Sequence, residues 1–379
     1  MKRLIRVFDN SYNFMNAMCA LALDIDEVFY IYHNSIDEKN FNNCREVIKK
    51  YKENLNVQKF YIENDEKEIE DLLNDNTVVD ITTARYLSAY LFEQALKHNL
   101  PVVYYDGSEQ LIKDYRKHTA ICKSFGLKIE DIVKLGGGKI DDSSMHKPVD
   151  LSNEKITNMI VDVVDKTMND YPKFIDYVNK VNACITHKTF IDNSCKISDD
   201  IKKLVTYNKM YKVVSDVGIL KVVDNTLTFA NAIFKQMFTS SGTFLENYLY
   251  IKLSKSQKFD QVLMSKEIDF SSYYTNYKTK CELDCLAIKN NELLFISCKS
   301  NSVKQEDLNE IKIHNMMFGN DLSIPVICTL EDMNVHSAGI YAKAHELHIA
   351  VIDRTSFKKN RVVDDLLSVI DGTYKYEEI

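Results

Sequence analysis

Short β-type runs and amphipathic helical stretches alternate through the first third of the chain, and few folds accommodate that order. LIRVF (4–8), EVFYIY (27–32), VQKFYI (57–62), VVDIT (78–82) and PVVYYD (101–106) are rich in β-branched and aromatic side chains. Between them lie FMNAMCALAL, CREVIKKYKENL and RYLSAYLFEQALKHN, patterned as helices that bury one face. Strand and helix in alternation build βαβ units with right-handed crossovers. The expected class is therefore α/β, with a Rossmann-like parallel sheet at the N-terminus.

That periodicity stops at GGGKIDDSSMHKPVDLS (136–152), where glycine, serine and proline mark a linker. From about Asn153 to Ser241 the pattern is helical and ends in a small hairpin, ILKVVDNTLTF, turned at Asp224-Asn225. Helices followed by a hairpin suggest a winged-helix-like piece, which either binds DNA or spaces its neighbours. The last segment opens with GTFLENYLYIKL, whose Phe244, Leu245, Tyr248, Leu249 and Leu253 form one apolar stripe. A hairpin, helix, strand, helix and strand follow. The expected domains are 1–138, a linker over 139–152, a connector over 153–241 and a C-terminal α/β domain over 242–379.

At 379 residues, more than one domain is expected. No apolar run approaches the roughly 20 residues of a membrane helix, and MKRLIRVFDNSYNF lacks the apolar core of a signal peptide. Nine cysteines scattered from Cys19 to Cys328 do not make a disulfide framework. A cytoplasmic protein without membrane contact is expected, with most of its cysteines acting as small buried hydrophobes. Net charge is −7, with 31 basic against 35 acidic residues before position 235 and 17 against 20 after it. Neither part is basic, so sequence-independent binding along nucleic acid is not expected and any such site must be a local groove.

The stretch ELDCLAIKNNELLFISCKS (282–300) carries the chemistry. Closing a hairpin at Asn290-Asn291 sets Asp284 opposite Ser297 and Glu282 opposite Lys299 on one face. Opposed side chains lie about 5 Å apart. An acidic strand facing a lysine is more often a solvated face with cross-strand ion pairs. Here the flanking CLAI and LLFIS read as buried strands, where a charge needs a purpose. Mg²⁺ or Mn²⁺ takes oxygen ligands from one or two carboxylates, water and phosphate, and a lysine nearby can hold a phosphate. Glu246, on the preceding helix, could add a carboxylate.

In the N-terminal domain, Asp9-Asn10-Ser11 follows the first strand and Thr82-Thr83-Ala84-Arg85 follows the fourth, each leading into a helix. Helix N-termini suit phosphates, and open α/β sheets bind ligands beyond the carboxyl ends of their strands. Neither loop is a dinucleotide or NTP motif. On sequence alone these Ser and Thr residues read more readily as helix caps.

Glu246 on a helix, Asp284 in a strand and Ser297-Cys298-Lys299 ending the next resemble the PD-(D/E)xK nuclease superfamily. The resemblance implies a restriction-endonuclease-like domain in which Asp284 and the Cys298 carbonyl hold metal. Glu246 would bind or orient the metal, and Lys299 would be the catalytic lysine. Ser297 stands where the consensus has Glu, so Glu282 or a main-chain oxygen would have to complete the shell. With VFDNS and DITTARYLSAYLF, the whole chain is similar in domain order to the CARF (CRISPR-associated Rossmann fold) sensors that carry such a nuclease. That similarity implies a type III CRISPR ancillary protein: a homodimer that binds a cyclic oligoadenylate, cyclic tetra-adenylate first, and is thereby activated to cut DNA, RNA or both. Asn10, Ser11, Thr82, Thr83 and Arg85 are the activator positions carried over.

Two other readings stand beside it. One is a ligand-responsive DNA-binding regulator whose nuclease domain is degenerate at Ser297. The other is a metal-dependent nuclease that senses an ordinary nucleotide. The HEPN ribonucleases that also accompany CARF domains are disfavoured, because the tail holds no arginine-to-histidine motif of their spacing.

Overall fold

A computed structural model describes residues 1–374 apart from 11–12, 34–35, 64–65, 84–85, 142–147, 241, 271–279, 318–322 and 334–336. The chain divides into two compact units. One comprises Met1–Ile140 with Ile268–Lys280 and Met317–Leu322, and the other comprises Asp141–Glu267, Cys281–Met316 and Ser323–Ile379.

In the first unit, strands β1 (Arg3–Val7), β2 (Glu27–Tyr32), β3 (Asn56–Tyr61), β4 (Thr77–Asp80) and β5 (Val102–Asp106) are joined by helices. The sheet runs β3-β2-β1-β4-β5, all parallel. The order reverses between β1 and β4, which is the switch point where open α/β sheets leave a crevice. Two antiparallel strands, β6 (Leu111–Asp114) and β7 (Thr119–Lys123), extend the β5 edge. The sequence pattern does not announce them, because they are short and β7 is mostly exposed. Ile5, Val7, Phe29, Ile31, Val79 and Val102 form a core beneath the helices.

The expected linker begins with local structure. Gly137 has φ 87°, and a Cβ on Gly138 would lie 2.7 Å from Ile268 Cγ2, so backbone conformation and close packing call for glycine there. A short strand, β8 (Lys139–Asp141), follows.

In the second unit, helices Tyr171–Ile185, Asp199–Thr206 and Lys209–Val217 alternate with β9 (Ser194–Lys196) and precede the hairpin of β10 (Leu220–Val223) and β11 (Thr226–Phe229). The small sheet runs β10-β11-β9, a winged-helix order. Asp224 and Asn225 both take positive φ, 46° and 57°, which gives the hairpin the tight turn read from sequence.

The second sheet contains β12 (Gln261–Asp269), β13 (Lys280–Lys289), β14 (Glu292–Lys299), β15 (Ser323–Thr329) and β16 (Ala350–Ile352), in the order β16-β15-β14-β13-β12. β13 and β14 are an antiparallel hairpin, and β14, β15 and β16 are parallel through helical crossovers. Helix Thr243–Ser256 packs against β14 and against helices Glu154–Thr167 and Val362–Ile370. It is buried beyond the single stripe read from sequence, including Asn247, whose Oδ1 accepts the Val149 N–H at 3.1 Å. Ile160, Val163, Phe174, Phe244, Leu249, Cys285 and Ile296 belong to one core, so connector and C-terminal segments are packed together.

Candidate active site

The hairpin register is Cys285 with Ile296, Leu286 with Phe295 and Ala287 with Leu294, closed by Asn290 and Asn291 at φ 50° and 65°. One step beyond the last pair, Asp284 Oδ2 accepts the Cys298 N–H at 2.6 Å and the Ser297 hydroxyl at 3.3 Å. Ser297 therefore braces Asp284 from the position where a glutamate is expected.

Glu246 enters from the first turn of helix Thr243–Ser256. Its Oε2 accepts the Ser265 hydroxyl at 3.3 Å, and Ser265 is a buried residue of β12 with φ 47°. A non-glycine residue in that conformation inside a strand is strained, and such strain concentrates at functional sites. Gly242 completes the cradle, since a Cβ there would stand 2.9 Å from Glu246 Oε1. Burial first, and then the charge of Asp284, push the Glu246 carboxyl up to about 8. Burial likewise raises Asp284 to about 6, against the bonds from Cys298 and Ser297 and the attraction of Lys299. The Asp284 charge thus makes Glu246 costlier to ionise, and Glu282 adds to the rise at both.

Lys299 does not turn to Glu282. Its ammonium lies 2.9 Å from Asp307 and 3.7 Å from Glu310, on helix Gln305–Met317. Burial alone would lower its pKa, but Asp307 and Glu310 outweigh burial and raise it. Glu282 is exposed and lines, with Asp284, Ser297, Lys299, Glu310 and His314, a pocket of about 130 Å³. Ser265, Asp307, Glu310 and His314 are not among the site residues expected from the sequence. The helix residues were legible as an i, i+3, i+7 polar row, whereas nothing in the sequence marks Ser265.

Among the described residues no group of three or more His, Cys, Asp and Glu side chains is arranged to hold a metal ion. The candidate donors are two carboxylates and the Cys298 carbonyl, a set suited to Mg²⁺ or Mn²⁺, which retain waters, and unsuited to zinc. Burial raises the Cys298 thiol well above its ordinary value, so its sulfur is a neutral hydrophobe rather than a ligand. Two carboxylates that resist ionisation together are what a cation relieves. The Tyr171 hydroxyl, fully buried and under the influence of Cys298 and Glu246, has no hydrogen-bond partner among the described residues. The residues present therefore fit a hard divalent ion with an incomplete protein shell.

In the first unit, the loops after β1 and β4 flank the switch point. Arg6 of β1 is fully buried and donates to Asp80 Oδ2 at 2.7 Å, to the Met15 carbonyl and to Thr83 Oγ1 at 3.4 Å. Burial alone would lower its pKa, yet Asp80 and its other neighbours keep it above the ordinary value. Thr82 donates its hydroxyl to Asp80 Oδ1 at 2.5 Å and accepts the Tyr105 N–H at 3.0 Å. Asn10 accepts the Asp37 N–H at 2.9 Å, ahead of helix Glu38–Tyr51. Ser11 and Arg85 lie outside the described residues.

Residues 235–327 match the family model of the Card1-like endonuclease domain. No curated protein matches the sequence. Among solved structures, protein VC1899 from Vibrio cholerae is similar with a TM-score of 0.79 at 11% identity, covering 99% of each chain. Can2 from Sulfobacillus thermosulfidooxidans, solved in complex with cyclic tetra-adenylate, is similar with a TM-score of 0.73 at 12% identity, covering 96% of this chain and 99% of that one. At these identities the likeness is one of fold.

Proposed function

We propose that this chain, which carries a Card1-like endonuclease domain, is a metal-dependent nuclease of type III CRISPR defence that cyclic oligoadenylate activates to cut DNA, RNA or both. The observation that carries this reading is the partly buried pair Glu246 and Asp284, both raised above the ordinary carboxylate range by burial, inside the segment that matches an endonuclease.

Asp284, Glu246 and the Cys298 carbonyl would hold Mg²⁺ or Mn²⁺, which when bound would lower the pKa of a water and draw off charge developing on phosphorus. Asp284 is oriented through Oδ2 by the Cys298 N–H and the Ser297 hydroxyl, leaving Oδ1 to serve as ligand. The Ser265 hydroxyl bonds the Glu246 carboxylate, and Gly242 leaves the room that a Cβ would take from it. Lys299, whose pKa is raised, keeps its proton at neutral pH, so it acts as a cation for phosphate rather than as a base.

For the sensing half, the reading assigns cyclic tetra-adenylate to the crevice between β1 and β4, with Asn10, Ser11, Thr82, Thr83 and Arg85 around it. The switch-point position of these loops and a fold shared with Can2, which was solved with that ligand, support the assignment. A two-fold symmetric ring suits a homodimer, because an isologous interface repeats each contact. The setting proposed is the cytoplasm, and among the described residues no helix is long and apolar enough to cross a membrane.

The test is incubation with plasmid and with single-stranded RNA in Mn²⁺, with and without each cyclic oligoadenylate. Cutting is expected only with activator, and Asp284→Ala should abolish it. Equal cutting by wild type and Asp284→Ala would refute the site, and no cutting under any condition would favour the regulator.

A further inference from the structure

Phe295, Ser297 and Lys299 alternate along one face of β14, and helix Gln305–Met317 meets that face at two points. At one, Asp307 lies 2.9 Å from the Lys299 ammonium. At the other, the His314 ring stands edge to face with Phe295, their centroids 6.0 Å apart. Phe295 and Lys299 are four residues apart, roughly 13 Å along a strand, and Asp307 and His314 are seven apart, roughly 10 Å along a helix. Ser297, with its hydroxyl bonded to Asp284, falls between the two contacts. The pocket of about 130 Å³ opens there, and His314, Asp284 and Lys299 all line it. At roughly 30 Å³ per water in the liquid, that space holds a few waters.

The imidazole is uncommitted within that pocket. Among the described residues neither of its ring nitrogens has a hydrogen-bond or ion-pair partner. Its charged surroundings are Asp307 and Glu310 on its own helix, Lys299 on β14, and Glu282 and Asp284 on β13. Burial foremost lowers its pKa from the ordinary 6.5; Glu310 opposes that shift and Lys299 adds to it, which leaves the ring neutral at neutral pH. The neighbouring groups are engaged. Asp284 accepts the Cys298 N–H and the Ser297 hydroxyl, Glu310 lies 3.7 Å from Lys299, and Lys299 keeps its proton.

We propose that His314 is the general base of the cut, accepting the proton of the water that attacks phosphorus, an inference that rests on the nuclease reading. The water oxygen forms a bond to phosphorus while its proton passes to a ring nitrogen of His314. The bond from phosphorus to the leaving sugar oxygen breaks, and that oxygen takes a proton from solvent. No electron is gained or lost, and the imidazolium returns its proton to bulk water. A base that is neutral near the working pH suits this step, and Lys299, which stays protonated, is left to hold the phosphate. The rival role for the ring is packing against Phe295 alone.

The test compares the full chain with His314→Gln and His314→Ala on the substrate that wild type cuts, with Mn²⁺ and activator. Both variants should lose roughly 10²–10⁴-fold in kcat with KM little changed, the share of a positioned base. Imidazole added to the buffer should restore cutting to His314→Ala, which vacates the space, and not to His314→Gln, which fills it. The wild-type rate should rise with pH through a limb that both variants lack, while their Mn²⁺ affinity by calorimetry stays that of wild type. If His314→Ala does not fold, His314→Gln decides, since an amide keeps the size of the ring and takes no proton. A folded His314→Gln that cuts within about tenfold of wild type overturns the base. So does a loss of rate that keeps the wild-type pH limb and is not rescued by imidazole, which is the mark of packing, and so does a loss matched by weakened Mn²⁺ binding, which is the mark of a ligand. A fully active His314→Gln beside an inactive Asp284→Ala removes His314 alone, whereas a wild type that never cuts removes the nuclease reading and the base with it.

Discussion

Glu246 and Asp284 link the stability of the apo protein to pH. Their folded pKa values, about 8 and about 6, stand above the ordinary 4.5 and 3.8. A carboxyl whose pKa is raised by folding binds its proton more tightly in the native state. The stability it contributes is fully present below the ordinary value and is lost as pH rises through the folded value. In EDTA, urea midpoints should therefore fall between about pH 4 and pH 8, and Glu246→Gln should flatten the upper part of that decline. Parallel profiles for the two proteins would mean that Glu246 is not the group titrating. Divalent metal competes with the same protons, so its affinity should climb across the same window. The importance of Asp284 is legible in sequence because it stands directly before the apolar run CLAI, with Glu282 on the same face. Ser265 gives no such signal, since its left-handed φ and its bond to Glu246 arise only when β12 lies beside helix Thr243–Ser256.

Two elements hold charges that sequence analysis passed over. Helix Gln305–Met317 presents Asp307, Glu310 and His314 toward the hairpin, and the first two occupy the ammonium of Lys299. A lysine so engaged is less available to a phosphate. Asp307→Asn should release it and raise the activated cutting rate roughly fivefold, given about 1 kcal/mol for a partly exposed pair. An unchanged or lower rate would show that the pair positions the lysine rather than restraining it. In the first unit, β1 and β4 are tied by Arg6 and Asp80, both fully buried. Removing one partner strands the other charge, so Arg6→Ala should cost about 3–5 kcal/mol in urea unfolding. A loss below about 1 kcal/mol would mean that water reaches Asp80. Both charges were visible as an arginine inside LIRVF and an aspartate inside VVDIT, and a charge in an otherwise apolar strand announces a partner. The alternation of strands and helices fixed the parallel sheet, because period and order both point to it. β6 and β7 were not legible, being short, partly exposed and stabilised by the edge they join.

For the molecule as a whole, a chain of net charge −7 that acts as the proposed nuclease would have to obtain its nucleic-acid affinity locally and its activity on demand. The activator reading supplies the demand through symmetry. β1 and β4 lie at the switch point of a single sheet, so one chain offers one crevice, while a cyclic tetra-adenylate ring carries a two-fold axis. If two chains share that ring, calorimetry should give one ring bound per two chains. The mass measured by light scattering should remain that of a dimer before and after binding. One ring per chain would place each ligand wholly within one crevice and overturn the shared site. Thr83 is held by Arg6 and stands at the mouth of the β4 turn, so Thr83→Val should weaken ring binding. Metal affinity at Asp284 should remain unchanged, since the two sites lie in different units. A Thr83 variant that binds the ring with wild-type affinity would remove the β4 loop from the activator site and leave the nuclease assignment untouched.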